Sequence, residues 1–168
     1  MDDKTYQRLL GFCLNYVSIH PRSVHEIRSY IEKKIAQWKV SPALLDTVMN
    51  RLIELGYADD VKFVGLYIES MNRSRPKGRM LIRMELQRKG VSRDSIGLAL
   101  EGLKNDELHT ELDLARNTAT KKLRSLKRYD KTSQRTKIYS FLVRRGFDTK
   151  TISLVIDEMF PKGLQYDE

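Results

Sequence analysis

The sequence predicts an all-α protein made of three tandem three-helix repeats that form an elongated, curved array. Three observations predict it. Apolar residues recur at helical spacing almost throughout, no stretch alternates as a half-buried strand would, and residues 79–103 are echoed 56 positions later. A chain of 168 residues buries roughly 70% of its unfolded surface on folding, so it needs no metal or disulfide staple.

Tyr6, Leu9, Leu10, Cys13 and Val17 mark one face of a first helix, which Pro21 ends. Ser23 and Glu26 have capping-box spacing ahead of a second stripe, Ile27, Tyr30, Ile31, Ile35 and Trp38. Ser41-Pro42 reads as an N-cap and first-turn proline before Leu44, Leu45, Val48, Met49 and Leu52, and Gly56 as the left-handed residue that ends the third helix. Asp59 or Asp60 can cap a fourth helix, with Phe63, Val64, Tyr67, Ile68 and Met71 on its face. Pro76 and Gly78 then break the chain.

The repeat organises the rest of the chain. Arg79, Ile82, Leu86, Arg88, Gly90, Ile96 and Leu98 coincide with Arg135, Ile138, Leu142, Arg144, Gly146, Ile152 and Leu154. Gly90 and Gly146 close helices, and Ser92 and Asp148 cap the next ones. Ile27 and Ile31 match Ile82 and Leu86, while Ser41, Leu45 and Leu52 match Ser92, Ile96 and Leu103 after a short insertion around Ile35–Lys39 that replaces the repeated glycine. Ser41, Ser92 and Asp148 thus read as one repeated cap. The units are 1–58, 59–106 and 107–168, the last with a short C-terminal tail.

The net charge of +9 is concentrated rather than spread. Residues 1–71 are neutral, 72–93 carry +7, 94–114 carry −5, 115–150 carry +10 and 151–168 carry −3. A polyanion is the partner this implies. In the first basic block, Arg73, Arg75, Lys77, Arg79 and Arg83 surround a polar loop; four cations in seven residues repel one another unless an anion is near. In the second, Lys121, Lys122, Arg124, Lys127 and Arg128 are read on one helix behind Ala115, Ala119, Leu123 and Leu126, with Lys121, Arg124 and Arg128 aligned as like charges. Arg144 and Arg145 beside Gly146 repeat Arg88 and Lys89 beside Gly90, where a helix dipole accounts for cations as well as a partner does.

Gly56-Tyr-Ala-Asp-Asp-Val-Lys-Phe63 resembles the Gly-Tyr-x-Asp-Asp-x-x-Phe signature of the RecX regulatory proteins. Gly78–Gly90 is similar to that family's second repeat and Phe141–Phe147 to its third, so the resemblance covers about residues 6–160. Ala58 stands where many members have Leu. The resemblance implies a modulator of the RecA recombinase that binds the RecA–DNA filament and damps its ATPase, strand-exchange and coprotease activities. It makes the twelve cations Arg73, Arg75, Lys77, Arg79, Arg83, Lys121, Lys122, Arg124, Lys127, Arg128, Arg144 and Arg145 the candidate contacts to RecA or to single- or double-stranded DNA. Gly56, Tyr57, Asp59, Asp60 and Phe63 are read as structural, the two aspartates as caps and the two rings as inter-helix packing. The alternative is a stand-alone DNA-binding helical-repeat protein without sequence specificity.

Enzymatic chemistry finds little support. Phosphate-binding glycine loops, His-Glu-x-x-His and Cys-x-x-Cys are absent, and His20, His25 and His109 lack metal-ligand spacing. No cofactor or metal is expected. Cys13 has no partner in the chain, which points to a reducing cytoplasm. Apolar runs such as Leu9–Cys13 are far shorter than the ~20 residues of a membrane span, and the start, Met-Asp-Asp-Lys, lacks an apolar leader. A monomer is expected. A compact globule of this length has a radius of gyration of roughly 15 Å; solution scattering should return a clearly larger value, and the compact value would remove the elongated array.

Overall fold

The computed structural model describes residues 3–102 and 111–161. The expected boundary at 106/107 lies outside the described residues, as do Leu103, Asp106, Glu107, His109 and the tail from 162. Nine helices are present among the described residues: α1 Asp3–Ile19, α2 Val24–Trp38, α3 Leu44–Glu54, α4 Asp60–Ser74, α5 Arg79–Arg88, α6 Arg93–Gly102, α7 Glu111–Arg124, α8 Lys131–Arg144 and α9 Thr149–Met159. No strand occurs among these residues, so the all-α expectation holds. Among the described residues, one compact unit comprises residues 3–67 with 85–102, and a second comprises 68–84 with 111–161. Helices α4 and α5 therefore each contribute to both.

In the first unit the predicted stripes meet in one core. Leu9, Cys13 and Val17 of α1 pack with Ile27, Ile31 and Ile35 of α2 and Leu44, Val48, Met49 and Leu52 of α3. Burying each large aliphatic side chain contributes about 1.5–3 kcal/mol. Burial pushes the Cys13 thiol up to about 11, leaving it inert as a thiolate. An aromatic seam closes the α1–α2 edge, with Tyr16 stacked on Tyr30 at 4.1 Å and Lys34 over the Phe12 ring at 4.9 Å. The second unit has its own core. Ala115 and Ala119 put no bulk on the inner face of α7, against which Ile138 and Leu142 of α8 and Ile152, Val155 and Ile156 of α9 pack.

The helix ends repeat more faithfully than the side chains. Gly56, Gly90 and Gly146 have φ of 72°, 78° and 77°, as their positions predicted. After each, the next amide donates back to a carbonyl five residues earlier: Tyr57 to Leu52, Val91 to Leu86 and Phe147 to Leu142. The end of α2, which lacks the repeated glycine, makes the same closure with Lys39 at φ 55° and Val40 donating to Ile35. Ser23 and Glu26 form the predicted capping box, and Ser92 and Asp148 accept the predicted amides of Ser95 and Thr151.

Several expectations are corrected. Ser41 does not cap α3: the residue before the helix is Ala43 in helical conformation, and the Ser41 and Pro42 carbonyls accept the Leu44 and Leu45 amides in an extra turn. The charged helix of the second basic block is shorter than read. It ends at Arg124, because the Lys122 carbonyl takes both the amide and the hydroxyl of Ser125, and Lys127 and Arg128 lie in a turn. Tyr57, expected to pack between helices, is 47% exposed, whereas Phe63 is buried.

A head-to-tail helix junction occurs once in each unit. In the first, the start of α2 meets the end of α5. The Ser23 hydroxyl donates to the Lys89 carbonyl (2.6 Å), the Val24 amide to the Asp60 carboxylate (2.9 Å), and the Lys89 ammonium pairs with Glu26 (2.8 Å). In the second, the start of α5 meets the end of α8. The Gly78 amide donates to the Arg145 carbonyl (2.8 Å), the Arg79 amide to the Glu111 carboxylate (3.1 Å), and the Arg79 guanidinium pairs with Glu111 (3.5 Å). In the register that pairs Ile27 with Ile82, Ser23 corresponds to Gly78 and Val24 to Arg79, so these are the same joint. Asp59 caps its own helix through the Lys62 amide, but Asp60 caps α2 instead. A side chain on Gly90 would collide with His25, and one on Gly146 with Leu81.

Gly56 and Gly146 separate the two costs. Both are left-handed, but a methyl at Gly56 meets open space. Gly56→Ala should cost about 1–2 kcal/mol of backbone strain, and Gly146→Ala that strain plus ~1–3 kcal/mol of overpacking. Urea unfolding of the two variants checks this ordering; equal losses would contradict the close joint at Gly146.

Candidate functional site

Within the second unit, the end of α4 and the loop after it lie beside α7 and the end of α8, enclosing a cleft of about 610 Å³. Arg73 and Arg75 line it from the first basic block; Lys121, Lys122 and Arg145 line it from the second. The two blocks that were separate along the chain therefore share one site. An adjoining cleft of about 660 Å³ shares Lys122 and Ser125 and adds Arg128, Lys137 and Arg144. No Asp or Glu lines either cleft among the described residues.

Eight cations line the pair of clefts, and only Arg73 has a carboxylate partner among the described residues, Glu69 at 2.6 Å on an exposed helix face. Aromatic rings position four of the others. Lys122 and Arg145 sit 5.7 and 5.1 Å from the Phe141 centroid, and Arg128 and Lys137 sit 5.0 and 4.5 Å from that of Tyr129. The ring quadrupole attracts a cation without cancelling its charge. The field is felt by Tyr129 itself: the hydrogen bond from Arg128 (3.0 Å), then the charges of Arg128 and Lys137, hold its phenol below the usual tyrosine range. In the floor of the first cleft, Thr118 is 7% exposed and its hydroxyl has no partner, and the Asn72 side-chain oxygen is also unpaired.

The remaining candidates divide differently. Arg79 is consumed by the α5 joint through Glu111, whose own carboxyl is raised by burial against the hydrogen bond and charge of Arg79. Arg83, Arg124 and Lys127 are exposed and Lys77 is half-buried, and none of the four lines either cleft. Sequence reasoning missed Lys137, Thr118, Asn72, Phe141 and Tyr129. Lys137 was countable in the second block, but nothing local marks it as facing Lys122. Of the signature residues, Gly56, Tyr57, Asp59 and Phe63 line a small cavity of about 300 Å³ in the first unit.

Among the described residues no group of three His, Cys, Asp or Glu side chains is placed to hold a metal ion, and no helix is long and apolar enough to cross a membrane.

The helices and their repeated joints define a helical-repeat protein with a basic cleft that no carboxylate lines among the described residues. Comparison with known proteins shows its family. Residues 59–100 match the second and residues 109–156 the third three-helix domain of RecX. The regulatory protein RecX of Prosthecochloris aestuarii is 32% identical over 159 residues, covering 95% of this chain and 98% of that protein. That of Chlorobium phaeobacteroides is 34% identical over 136 residues, covering 79% and 83%. The chain belongs to the RecX family. It spans only about half of some longer relatives, 56% of the Leuconostoc mesenteroides regulatory protein RecX, for example. The crystal structure of RecX from Lactobacillus salivarius shares the fold, with a TM-score of 0.72 at 22% identity over 92% of this chain and 96% of that one.

Replacing Lys137 by Ala should move the Tyr129 phenol back toward the ordinary tyrosine value. Ring-resolved NMR titration measures this, and an unmoved Tyr129 would separate Lys137 from the field of the cleft.

Proposed function

We propose that this chain is a non-catalytic regulator of the RecA recombinase, a cytoplasmic monomer that docks on the RecA–DNA filament and damps its ATPase, strand-exchange and coprotease activities. Membership of the RecX family supports the recipient. The observation that carries the docking surface is the convergence of Arg73 and Arg75 with Lys121, Lys122 and Arg145 on one cleft with no carboxylate among its described lining residues. Such a surface steers and holds a polyanionic assembly, and occupying the filament inhibits without any bond being made or broken. The division into repeats 1–58, 59–106 and 107–168 belongs to this reading. The same cations also support the second reading, a stand-alone DNA binder; it differs in requiring that inhibition disappear wherever bare-DNA binding does.

The test is RecA's DNA-dependent ATPase with substoichiometric protein, at a salt concentration where bare-DNA binding is lost. Wild type should suppress turnover. Changing Arg73, Arg75, Lys121 and Arg145 to Ala should raise the amount needed at least ~10-fold. Arg79 is left intact because its loss would disturb the α5 joint. No suppression by wild type would overturn the regulator reading, and undiminished suppression by the variant would move the contact off the cleft.

A further inference from the structure

Helix ends account for most of the signature segment in the first unit and leave the Tyr57 ring without a structural task. Gly56 supplies the left-handed turn, Asp59 accepts the Lys62 amide (3.0 Å) and Phe63 is buried. The half-exposed Tyr57 ring instead lines the cavity of about 300 Å³ that the end of α1, the α1–α2 connection, the turn after α3 and the start of α4 enclose. Its apolar lining is Val17, Pro21, Tyr57, Phe63 and Leu66, and Leu66 is exposed as well. Tyr57 and Leu66 thus keep apolar surface that a partner can bury, and such burial drives association.

Two cations line the same cavity, Arg22 and Lys62, against the single carboxylate of Asp59. The Arg22 guanidinium lies 4.4 Å from the Tyr16 centroid, and its Nε is buried with no hydrogen-bond partner among the described residues. Glu26 interacts with that charge, but its two oxygens are taken by the Ser23 amide (3.0 Å) and the Lys89 ammonium (2.8 Å). Stacking orders the guanidinium before any ligand arrives, so little rotamer freedom is left to lose, and its fork of donors suits a carboxylate. Tyrosine and arginine around an apolar floor are the residue types that concentrate binding energy at protein interfaces. The volume is at the small end for ligand sites, room for one side chain rather than a cofactor.

From this geometry we infer that the signature cavity docks a short acidic segment of a protein partner, which inserts one large apolar side chain against Phe63 and Leu66 and sets a neighbouring carboxylate on Arg22. The one-charge excess of cations in the lining is the complement of that carboxylate. The site lies within the first unit, goes beyond the docking surface proposed above and does not depend on it.

Amide NMR of the nitrogen-15-labelled protein tests this with four end-blocked peptides, Ser-Glu-Φ-Glu-Ser, where Φ is Leu, Ile, Phe or Trp. At least one should shift the Tyr57, Lys62 and Leu66 amides saturably. Ala in place of Φ should weaken that peptide at least ~10-fold, and Gln in place of both Glu about 5-fold or more. Arg22→Gln should weaken the Glu peptide by a similar factor and leave the Gln peptide unchanged, a coupling that general loss of fold does not produce. Leu66→Ala, with helicity checked by circular dichroism, should weaken both. The Lys122 amide reports stray binding to the basic clefts, and the variant with Arg73, Arg75, Lys121 and Arg145 changed to Ala should bind the peptides unchanged. No saturable shift at the three amides with any of the four peptides, shifts confined to the clefts, or equal affinity of Glu and Gln peptides would overturn the inference. N-acetyl-phenylalanine binding as tightly as the peptides would also overturn it, in favour of a small-molecule site. The titration contains neither RecA nor DNA, so its failure leaves the regulator reading standing, and failure of the RecA assay leaves this site standing.

Discussion

The architecture depends on one joint, in which the first amide of a helix is satisfied by the carboxylate that opens a helix further along the chain. An α-helix begins with backbone donors that its own carbonyls cannot reach. At the start of α2 one goes to Asp60, and at the start of α5 one goes to Glu111, the carboxylates that open α4 and α7. The positive end of one helix is simultaneously set on the carbonyls at the negative end of another, Lys89 of α5 or Arg145 of α8. Each cap contributes about 1 kcal/mol, little beside a core. Its value is positional, because the approach is so close that Gly90 and Gly146 leave no room for a side chain. The left-handed turn and the steric gap are one requirement, and glycine meets both.

Local features of the fold were therefore legible in the sequence and the joints were not. Ser23, Ser92 and Asp148 cap amides three residues on, a relation that spacing reveals directly. Asp60 reaches back 36 residues to Val24, and Glu111 back 32 to Arg79, across segments whose packing decides the partner. Reading both signature aspartates as caps was sound chemically, but one caps a different helix. Lys39 escaped notice because a left-handed residue is expected to be glycine, and the register of the repeat was the only hint that something there replaced one.

The site divides along the same line. That two segments were strongly basic followed from counting. That Arg75 and Lys121 line one cleft did not, because it depends on the end of α4 lying beside α7. Arg79 shows the converse error: its charge belongs to the basic block, but its backbone and guanidinium are both engaged by Glu111. Arg128 was placed on the wrong surface by a helix continued one turn too far. With α7 ending at Arg124 it turns instead onto Tyr129.

The basic clefts stay positive because the described carboxylates of the second unit, apart from Glu69 on the cleft cation Arg73, are committed elsewhere. Asp130 and Asp148 cap α8 and α9, each held below the usual carboxylate range, Asp130 by the Ser133 amide and Asp148 by the Thr151 hydroxyl and amide. Glu111 is fixed in the α5 joint, Asp113 and Glu158 both pair with Arg116, Asp157 faces Arg135 at 3.8 Å, and Glu69 takes Arg73. A carboxylate that left its cap to neutralise a cleft lysine would expose or orphan a helix start and gain an exposed pair worth under about 1 kcal/mol. Capping wins that comparison at each helix start, and the cations without acids gather on the aromatic rings that remain. The field of the clefts thus arises from where the acids are held: helix caps, one joint and arginine pairs take them, and what is left over is the charge the clefts present.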